Sequence, residues 1–515
     1  MSVASSLDMP LDPPVSAEAF AEVRRARVRQ AAGDLRGALP HFQQALQLAG
    51  EHPGLLAEIA VLAFAGGDSA AAEQLLRRSL ARRDDANTRL NLAIAVYRQQ
   101  RFAEAATLFA AVFGQVTVTS ELADAYAFAL ERSGAADAAL QVREQVLAQS
   151  PTAAHALWLA TTLLRLGRHA ALQPRLDDWL AQFPDSAELL GLAAEHALGQ
   201  GDYPRGFALL ARRLALTGTG IDEPLLAACP RWDGEPFDGL LLVTLEPHLG
   251  EEILATSLLL PLIERGQRAC IEVDRRLLPL LRRSLPSLAF VARGEAALSV
   301  PLRSGENCRL ATTVDLARHF RREFHVPGAP GWLRCDAARR ERLRAAYRQH
   351  WPGRTLVGVS WRSLRHYKDL DLKSMPLPAL AKTLSLPDTQ FIALQYGDAR
   401  ADLDALAGTG LPVPWQDPDI DATQDLDGLA AQLCALDLFV TVSNTTAHLA
   451  GALGVPTIVL LPEAFPVFWH WGHAGDECTW YGSVRLLRAP AGSDAGALDE
   501  AVAEQLRRMS PAGDA

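Results

Sequence analysis

Four small polar residues, Ser443-Asn444-Thr445-Thr446, follow an apolar run at 438–442 and precede a helix of small residues at 447–453. This order predicts a strand, a polar turn and a helix of a parallel sheet. The backbone N–H groups at the start of such a helix, together with its dipole, favour an anion such as a diphosphate. Thr445 and Thr446 would add hydroxyl donors, and His448 lies in the first turn. Ordinary helix capping explains the same residues, so the sequence leaves both interpretations open.

Acid–base candidates follow an earlier predicted strand, at 240–245. The next residues, EPHLGEE, open a helix in which Gly250 allows a close approach. His248, Glu251 and Glu252 are candidate general bases, because a carboxylate or imidazole at a cleft edge can take a proton from an attacking hydroxyl group. The alternative is that the two glutamates are first-turn acids favoured by the helix dipole.

A basic loop, R-S-L-R-H-Y-K-D-L-D-L-K, follows the predicted strand at 355–361. Its cations would neutralise a leaving diphosphate, and they are Arg362, Arg365, Lys368 and Lys373. The alternative is a solvated loop whose cations form ion pairs with Asp369 and Asp371.

Together these loops predict a nucleotide site at the carboxyl ends of parallel strands. The residues Tyr396-Gly397-Asp398, after the strand at 390–395, would flank a base or ribose. The predicted binding residues are Ser360, Arg362, Lys368, Lys373, Gln395, Tyr396, Gly397, Asn444, Thr445, Thr446 and His448. With acid–base candidates facing them, the set indicates group transfer from a nucleotide donor. The sequence contains no Walker, GxSxG or HExxH motif that would favour another chemistry.

The elements that must position these residues are strands alternating with helices after residue 217. Two clusters of strands flank a strand-poor stretch at 300–350, which predicts two doubly wound lobes with a cleft between them. The predicted strands are 240–245, 269–274, 288–292, 355–361, 390–395, 437–443 and 456–461.

The chain before residue 217 repeats itself. The turn residues Gly33, Gly67, Gln100, Gly134, Gly167 and Gly201 are 34, 33, 34, 33 and 34 residues apart. GDLRGALPHFQQAL resembles the tetratricopeptide repeat, a pair of antiparallel helices of 34 residues. Six such units imply a helical solenoid whose groove binds a protein segment, or alternatively a rigid spacer or dimerisation arm.

Composition limits the class of protein. The 515 residues are 49% hydrophobic and carry a formal net charge of -10, which argues against a nucleic-acid-coating protein or one that binds an anionic membrane surface. Six cysteines without a CxxC pair argue against a disulfide framework or a cysteine zinc site. The N-terminus lacks the pattern of a signal peptide, and no apolar run reaches the about 18 residues of a membrane span. We therefore expect a cytoplasmic protein.

Residues 229–490 resemble the GT-B glycosyltransferases of the heptosyltransferase-like (family 9) type, in the version fused behind tetratricopeptide repeats. The matching segments include HLGEEILATSLLLPLIERG, VGVSWRSLRHYKDLDLKSMPL, FIALQYGD and LDLFVTVSNTTAHLAGALGVPTIVLLP. The implied fold is a tetratricopeptide solenoid followed by an α/β GT-B fold of two Rossmann-like lobes. The predicted divisions are a tail at 1–17, repeats at 18–217, an acceptor lobe at 218–345 and a nucleotide-sugar lobe at 346–508.

The resemblance also implies roles for residues. It gives Lys373 and the Thr445-Thr446 turn to the donor diphosphate, with Arg362 and Lys368 as helpers, and it places the catalytic acid at Glu251. It implies no metal ion and no cofactor beyond the nucleotide-sugar. The family usually has G-[LM]-G-D where this chain has His248-Leu249-Gly250-Glu251, and many relatives carry Asp where this chain has Ser443.

Three functions compete. The first is an inverting protein O-glycosyltransferase whose repeats recruit the acceptor, which is flagellin in similar bacterial systems. The second is a transferase acting on a lipid-linked or polysaccharide acceptor. The third is a scaffold whose GT-B region has lost activity.

The aromatic segment F-W-H-W-G around Trp469-His470-Trp471 would stack on a substrate or close the seam between the lobes.

Overall fold

The structure is a computed structural model that describes residues 9–116, 119–218, 229–294, 307–320, 331–363, 374–383, 388–461, 468–488, 502 and 504. The chain divides into two compact units, Met1–Leu166 and Gly167–Ala515. None of the described helices is long and apolar enough to cross a membrane.

The first unit consists of helices in antiparallel pairs. Within its described residues they are α1 (Ala17–Ala31), α2 (Leu35–Ala49), α3 (Pro53–Ala65), α4 (Ser69–Arg82), α5 (Ala86–Arg98), α6 (Phe102–Val112), α7 (Ser120–Arg132), α8 (Ala136–Gln149) and α9 (Ala153–Arg165). Small residues let the helices of a pair approach, so that Ala38, Phe42 and Ala45 are fully buried. Gly67, with φ +83°, makes the left-handed turn between α3 and α4, and Gln100 makes the equivalent turn with φ +61°. The predicted helical repeats are confirmed.

The second unit begins with three more helices, α10 (His169–Gln182), α11 (Ala187–Gly199) and α12 (Tyr203–Thr217). Within the described residues, a parallel sheet of four strands follows, in the order β3-β2-β1-β4. Its strands are β1 (Leu240–Thr244), β2 (Ala269–Val273), β3 (Ala289–Ala292) and β4 (Cys308–Thr312). Its helices are α13 (Leu249–Ala255), α14 (Leu260–Glu264), α15 (Leu278–Ser284) and α16 (Thr313–Phe320).

In the part of the second lobe that the structure describes, six parallel strands form one sheet, in the order β10-β9-β8-β5-β6-β7. Its strands are β5 (Thr355–Ser360), β6 (Thr389–Ala393), β7 (Trp415–Gln416), β8 (Leu438–Val442), β9 (Thr457–Leu461) and β10 (Val484–Arg488). Its helices are α17 (Ala337–His350), α18 (Leu377–Thr383), α19 (Arg400–Asp404), α20 (Leu426–Ala435) and α21 (Thr445–Leu453). In register, Val359 of β5 pairs with Val440 of β8. The predicted fold class, a repeat solenoid followed by two parallel α/β lobes, is confirmed.

Strand β4 corrects one expectation. It lies inside the stretch at 300–350 that the sequence marked as strand-poor. It pairs with β1, with Leu310 opposite Leu242. The strand runs directly into α16 without a turn residue, and Arg309 interrupts its apolar run. Both features hide it from a search for apolar runs between turns.

One apolar core joins the elements of the second unit. It includes Leu198 of α11, Phe207 of α12, Leu241 of β1, Leu449 of α21 and the fully buried Trp471. The last repeat helices and both sheets therefore fold as one body, because they bury their apolar faces against one another.

Candidate functional site

A cavity of about 460 Å³ lies between the two lobes at the carboxyl ends of their strands. Its lining residues follow β1 (Pro247 to Glu251), β2 (Asp274 and Arg276), β5 (Ser363), β6 (Tyr396) and β8 (Ser443 to Thr446). In the six-stranded sheet the strand order reverses between β5 and β8. Loops leaving adjacent strands diverge at such a point, and ligands bind in the crevice that this divergence opens.

The start of α21 forms one wall of the cavity. Asn444 caps this helix, since its Oδ1 accepts a hydrogen bond of 3.1 Å from the backbone N of Ala447. Thr445 and Thr446 occupy the first turn, and all three residues line the cavity. The positive end of the helix dipole and two hydroxyl-bearing residues therefore line the space where an anion would bind.

A buried network lies beneath this wall. The Nδ2 of Asn444 donates to Oγ of Ser360 at 2.9 Å, and that hydroxyl donates to Oε1 of Gln395 at 3.1 Å. The same Oε1 accepts from the backbone N of Trp361 and of Arg362, each at 3.0 Å. Ser360 and Gln395 are buried and do not line the cavity. They fix the ends of β5, β6 and β8 relative to one another.

The other predicted donor-binding residues separate into three groups. Tyr396 lines the cavity. Arg362 does not, because its guanidinium pairs with Asp402 at 2.9 Å and donates to the backbone oxygen of Asp398. Gly397 also lies off the wall, where its N donates to Oγ1 of Thr423 at 3.0 Å. Arg365, Lys368 and Lys373, which the sequence analysis assigned to the diphosphate, lie outside the described residues.

The acid–base candidates lie on the wall formed by the first lobe. His248 and Glu251 both line the cavity. Glu252 points the other way and is 1% exposed. Its Oε1 accepts from the backbone N of Asp274 at 2.6 Å, and its Oε2 lies 3.3 Å from Arg293. Successive helical residues lie about 100° apart, so Glu251 faces the cavity while Glu252 faces the core.

Electrostatics distinguish the carboxyl groups of this wall. Burial raises the pKa of Glu252 to about 7, against the lowering effect of the Asp274 backbone N–H and of Arg293. Burial and the neighbouring charge of Glu251 raise the pKa of Glu246.

His448 lies at the contact between the two walls. Its Nδ1 is 2.9 Å from the hydroxyl oxygen of Tyr481, and its ring stacks on Trp471 with centroids 4.9 Å apart. Burial lowers the pKa of His448 to about 3, so the ring is neutral. It contributes shape and hydrogen bonding to the cavity rather than charge.

The aromatic segment after β9 has divided roles. The indole N–H of Trp471 donates to Oγ of Ser443 at 2.9 Å, and Trp469 packs against Phe207 and Trp480. These two residues close the seam between elements. His470 is among the cavity-lining residues.

Sequence analysis missed two charged residues of the cavity. Asp274 follows β2, and Arg276 forms two hydrogen bonds to it, at 2.9 and 2.8 Å. Arg276 also donates to the backbone oxygen of Thr423 at 2.9 Å, which links the first lobe to the second. The position of Asp274 as the last residue of the predicted strand 269–274 was the available signal, because ligands bind at and beyond the carboxyl ends of strands.

Comparisons with known proteins agree with the repeats. The family model of the tetratricopeptide repeat matches residues 30–89.

Protein FlbA of Caulobacter vibrioides is 28% identical over 499 residues, which cover 90% of this chain and 80% of FlbA.

Two solved structures are similar to parts of the chain. The glycosyl transferase family 9 protein of Veillonella parvula covers 53% of this chain and 99% of its own length, with 12% identity and a TM-score of 0.38. The C-terminal part of a TPR repeat-containing protein of Cytophaga hutchinsonii covers 39% of this chain and 84% of its own, with 14% identity and a TM-score of 0.35. At these low scores the architecture rests on the strands and helices of the chain itself.

Proposed function

We propose that this chain is a glycosyltransferase that moves a sugar from a nucleotide-sugar to a Ser or Thr hydroxyl group of a protein acceptor. The observation that carries the proposal is the pairing of two walls across one cavity. Glu251 lies on one wall, and the first turn of α21 with Thr445 and Thr446 lies on the other. A base and an anion-binding helix start facing each other suit transfer from a donor with a phosphate leaving group.

In the proposed reaction the acceptor oxygen attacks the anomeric carbon of the donor. The carboxylate of Glu251 takes the proton of the attacking hydroxyl group. The bond between the anomeric carbon and the phosphate oxygen breaks, and its electron pair stays on the nucleotide. The dipole of α21 stabilises that negative charge, so the proposed reaction uses no metal ion. Attack opposite the leaving group inverts the anomeric centre.

The nucleotide part of the donor would lie against the second lobe. Tyr396 offers a ring for stacking on a base, and Thr423 and Arg276 offer polar groups near a ribose or phosphate. The acceptor would enter from the side of His248 and Glu251. Nucleotide-sugars are made in the cytoplasm of cells, which is where we propose that the reaction occurs.

The repeats support a protein as the acceptor. Arrays of tetratricopeptide repeats present concave helical surfaces that bind extended protein segments. Flagellin is the acceptor to test first, because the sequence resembles repeat-bearing flagellin glycosyltransferases.

The test uses intact-mass measurement of flagellin from the same organism, taken from a strain that lacks this protein. The full chain is incubated with that flagellin and a panel of UDP-, GDP-, dTDP-, ADP- and CMP-sugars. A discrete mass increment is expected with one donor. It should disappear in Glu251→Gln and persist in Glu264→Gln, which changes an exposed glutamate of the same lobe.

Each other outcome overturns a defined part of the proposal. Transfer by Glu251→Gln at the wild-type rate would exclude Glu251 as the base. Donor binding without an increment would exclude flagellin as the acceptor and turn attention to a lipid or polysaccharide. Failure to bind any of the donors would favour a scaffold without transferase activity.

A further inference from the structure

Three histidines from separate segments meet in the second unit, away from the cavity. His169 begins α10, His196 lies in the last turn of α11, and His473 follows the short helix Trp469–Trp471. One ring nitrogen of each lies within 4.8 Å of the other two. None of the three lines the cavity described above. The cluster joins the last repeat helices to the second lobe.

Each ring in the cluster holds a buried nitrogen that lacks a hydrogen-bond partner among the described residues. These atoms are Nδ1 of His169, Nδ1 of His196 and Nε2 of His473. Burying polar nitrogens without a partner costs free energy, and native structures seldom keep three such atoms together. A shared ligand that accepts three lone pairs would satisfy all of them.

Two of the second ring nitrogens have identified neighbours. The amide nitrogen of Gln173 donates to Nε2 of His196 at 3.2 Å, so a metal on Nδ1 of His196 requires this amide to turn its oxygen toward Nε2. The ring of His473 forms a hydrogen bond with the backbone of His196. Because Nε2 of His473 is without a partner, this bond uses Nδ1 and leaves the Nε2 lone pair available. Such outer contacts fix the orientation of a ligand ring.

We propose that His169, His196 and His473 bind one divalent transition-metal ion, with Zn²⁺ as the reference ion. Neutral imidazole is a preferred ligand of Zn²⁺, and three histidines with a water molecule complete a tetrahedral site. Zinc–nitrogen bonds of about 2 Å place ligand nitrogens about 3.3 Å apart, so binding turns the stacked rings until their nitrogens converge.

The bound ion would have a structural rather than a catalytic role, because it would link the loop at His473 to the end of α11. The backbone N of His473 donates to the oxygen of Gly199 at 3.0 Å, so the loop and the end of α11 are already in contact. The loop begins immediately after Trp471, which holds Ser443 at the edge of the cavity. A metal at the three histidines would stabilise this connection, and the inference does not depend on the proposed transfer reaction.

The test uses full-length protein without a polyhistidine tag, freed of metal by a chelator. Zn²⁺ is added, excess metal is removed by gel filtration, and bound metal is counted by mass spectrometry. Co²⁺ titration then reports coordination geometry through its visible absorption bands. We expect one tightly bound ion per chain, tetrahedral Co²⁺ bands and a melting temperature that rises with metal.

Four variants make the assignment specific. His169→Gln and His473→Gln should each weaken Zn²⁺ binding by more than about 100-fold, because losing a direct ligand exceeds the effect of losing an outer contact. His350→Gln, which changes an exposed histidine elsewhere in the same unit, should bind as the wild type does. Gly199→Ala keeps all three histidines, but its Cβ would lie 2.1 Å from Nε2 of His473, so we expect it to weaken binding too.

Melting temperatures of the metal-free variants are measured to check that each variant remains folded. Among the substitutions within the cluster, His169→Gln should disturb the fold least, since it changes the half-buried first residue of a helix. The proposal is overturned if the wild-type chain retains no Zn²⁺ after gel filtration. It is equally overturned if folded His169→Gln and His473→Gln retain one Zn²⁺ with unchanged affinity. In either case the three rings serve packing alone.

Discussion

An added Cβ on Gly250 would lie 2.8 Å from Cδ2 of His448, closer than carbon atoms approach without displacement. Gly250 belongs to α13 of the first lobe and His448 to α21 of the second, so the two walls of the cavity touch at this point. His448 is held from the other side by Tyr481 and Trp471, and it cannot move away freely. The distance between Glu251 and the start of α21 therefore depends on the absence of a side chain at position 250.

Gly250→Ala should separate the two walls. Overpacking of this kind typically costs about 1–3 kcal/mol of stability. We expect a lower melting temperature together with weaker nucleotide binding, measured by calorimetry with a panel of nucleoside diphosphates. Gly66→Ala is the matched control, because its Cβ would meet no atom closer than 3.5 Å. Unchanged nucleotide affinity in Gly250→Ala would show that the contact does not set the width of the site.

Asn444→Ala should damage both the helix start and the anion site. It removes the cap on α21 and the donor to Ser360, and loss of such a cap alone costs about 1 kcal/mol. We expect a lower melting temperature and weaker binding of nucleoside diphosphates. Asp336→Ala removes the equivalent cap of α17, where Oδ1 accepts from the backbone N of Arg339 at 2.9 Å. It should lower stability similarly but leave nucleotide binding unchanged, and equal affinity in both variants would contradict a role for Asn444 in the site.

Arg276→Met should weaken nucleotide binding by about tenfold, which corresponds to about 1.4 kcal/mol. The change removes a cation from the cavity and breaks the link between Asp274 and the backbone oxygen of Thr423. The Arg276 guanidinium also lowers the pKa of Asp274, so its loss leaves that carboxylate without its closest partner. The exposed neighbour Arg275 provides the control. Equal nucleotide affinity in Arg275→Met and Arg276→Met would show that the Arg276 side chain does not contribute to nucleotide binding.

The buried carboxyl group of Glu252 should make stability depend on pH. Its pKa is about 7 in the folded chain and 4.5 as the ordinary value, so the folded state holds the proton more tightly. The contribution of Glu252 to the free energy of unfolding is full below about pH 4.5. It falls as the pH rises from about 4.5 to about 7, and above about pH 7 the free energy no longer changes through this group. The loss is about 3 kcal/mol for this group.

Urea unfolding at about pH 5 and about pH 8 measures this dependence. Between these conditions the wild-type chain should lose more stability than Glu252→Gln, which has no carboxyl group to titrate. Glu264→Gln, an exposed substitution in the same lobe, should behave as the wild type. Identical losses in the wild type and Glu252→Gln would show that Glu252 does not titrate in this range.

Apolar runs and turn residues were sufficient to predict most elements. β1, β2, β3, β5, β6, β8 and β9 were predicted because each is a parallel strand with a mostly apolar sequence, whereas β4, β7 and β10 were not predicted. β4 escaped because Arg309 interrupts it and α16 follows at once. Its pairing with β1 depends on contacts distant in sequence, which periodicity does not report.

The site was predictable where loops follow strands and less so where side-chain direction decides. Asn444, Thr445 and Thr446 were identified because a strand end and a helix start fix their position. Glu252 and Arg362 are sequence neighbours of cavity residues, but their side chains point toward Asp274 and Asp402. Tertiary packing selects those directions. Arg276 was overlooked because the sequence D-R-R at 274–276 is typical of an exposed charged segment.

The boundary between the two compact units, after Leu166, affects where segments of such a protein can be exchanged. The last two repeat helices, α11 and α12, share their core with the two sheets, and Phe207 packs edge-on against Trp469. An exchange of segments at residue 218 would strip the sheets of that cover and expose apolar surface. An exchange at residue 167 would leave the second unit whole. We therefore expect residue 167 to be a better junction than residue 218 for exchanging the first part of the chain, by recombination or by design.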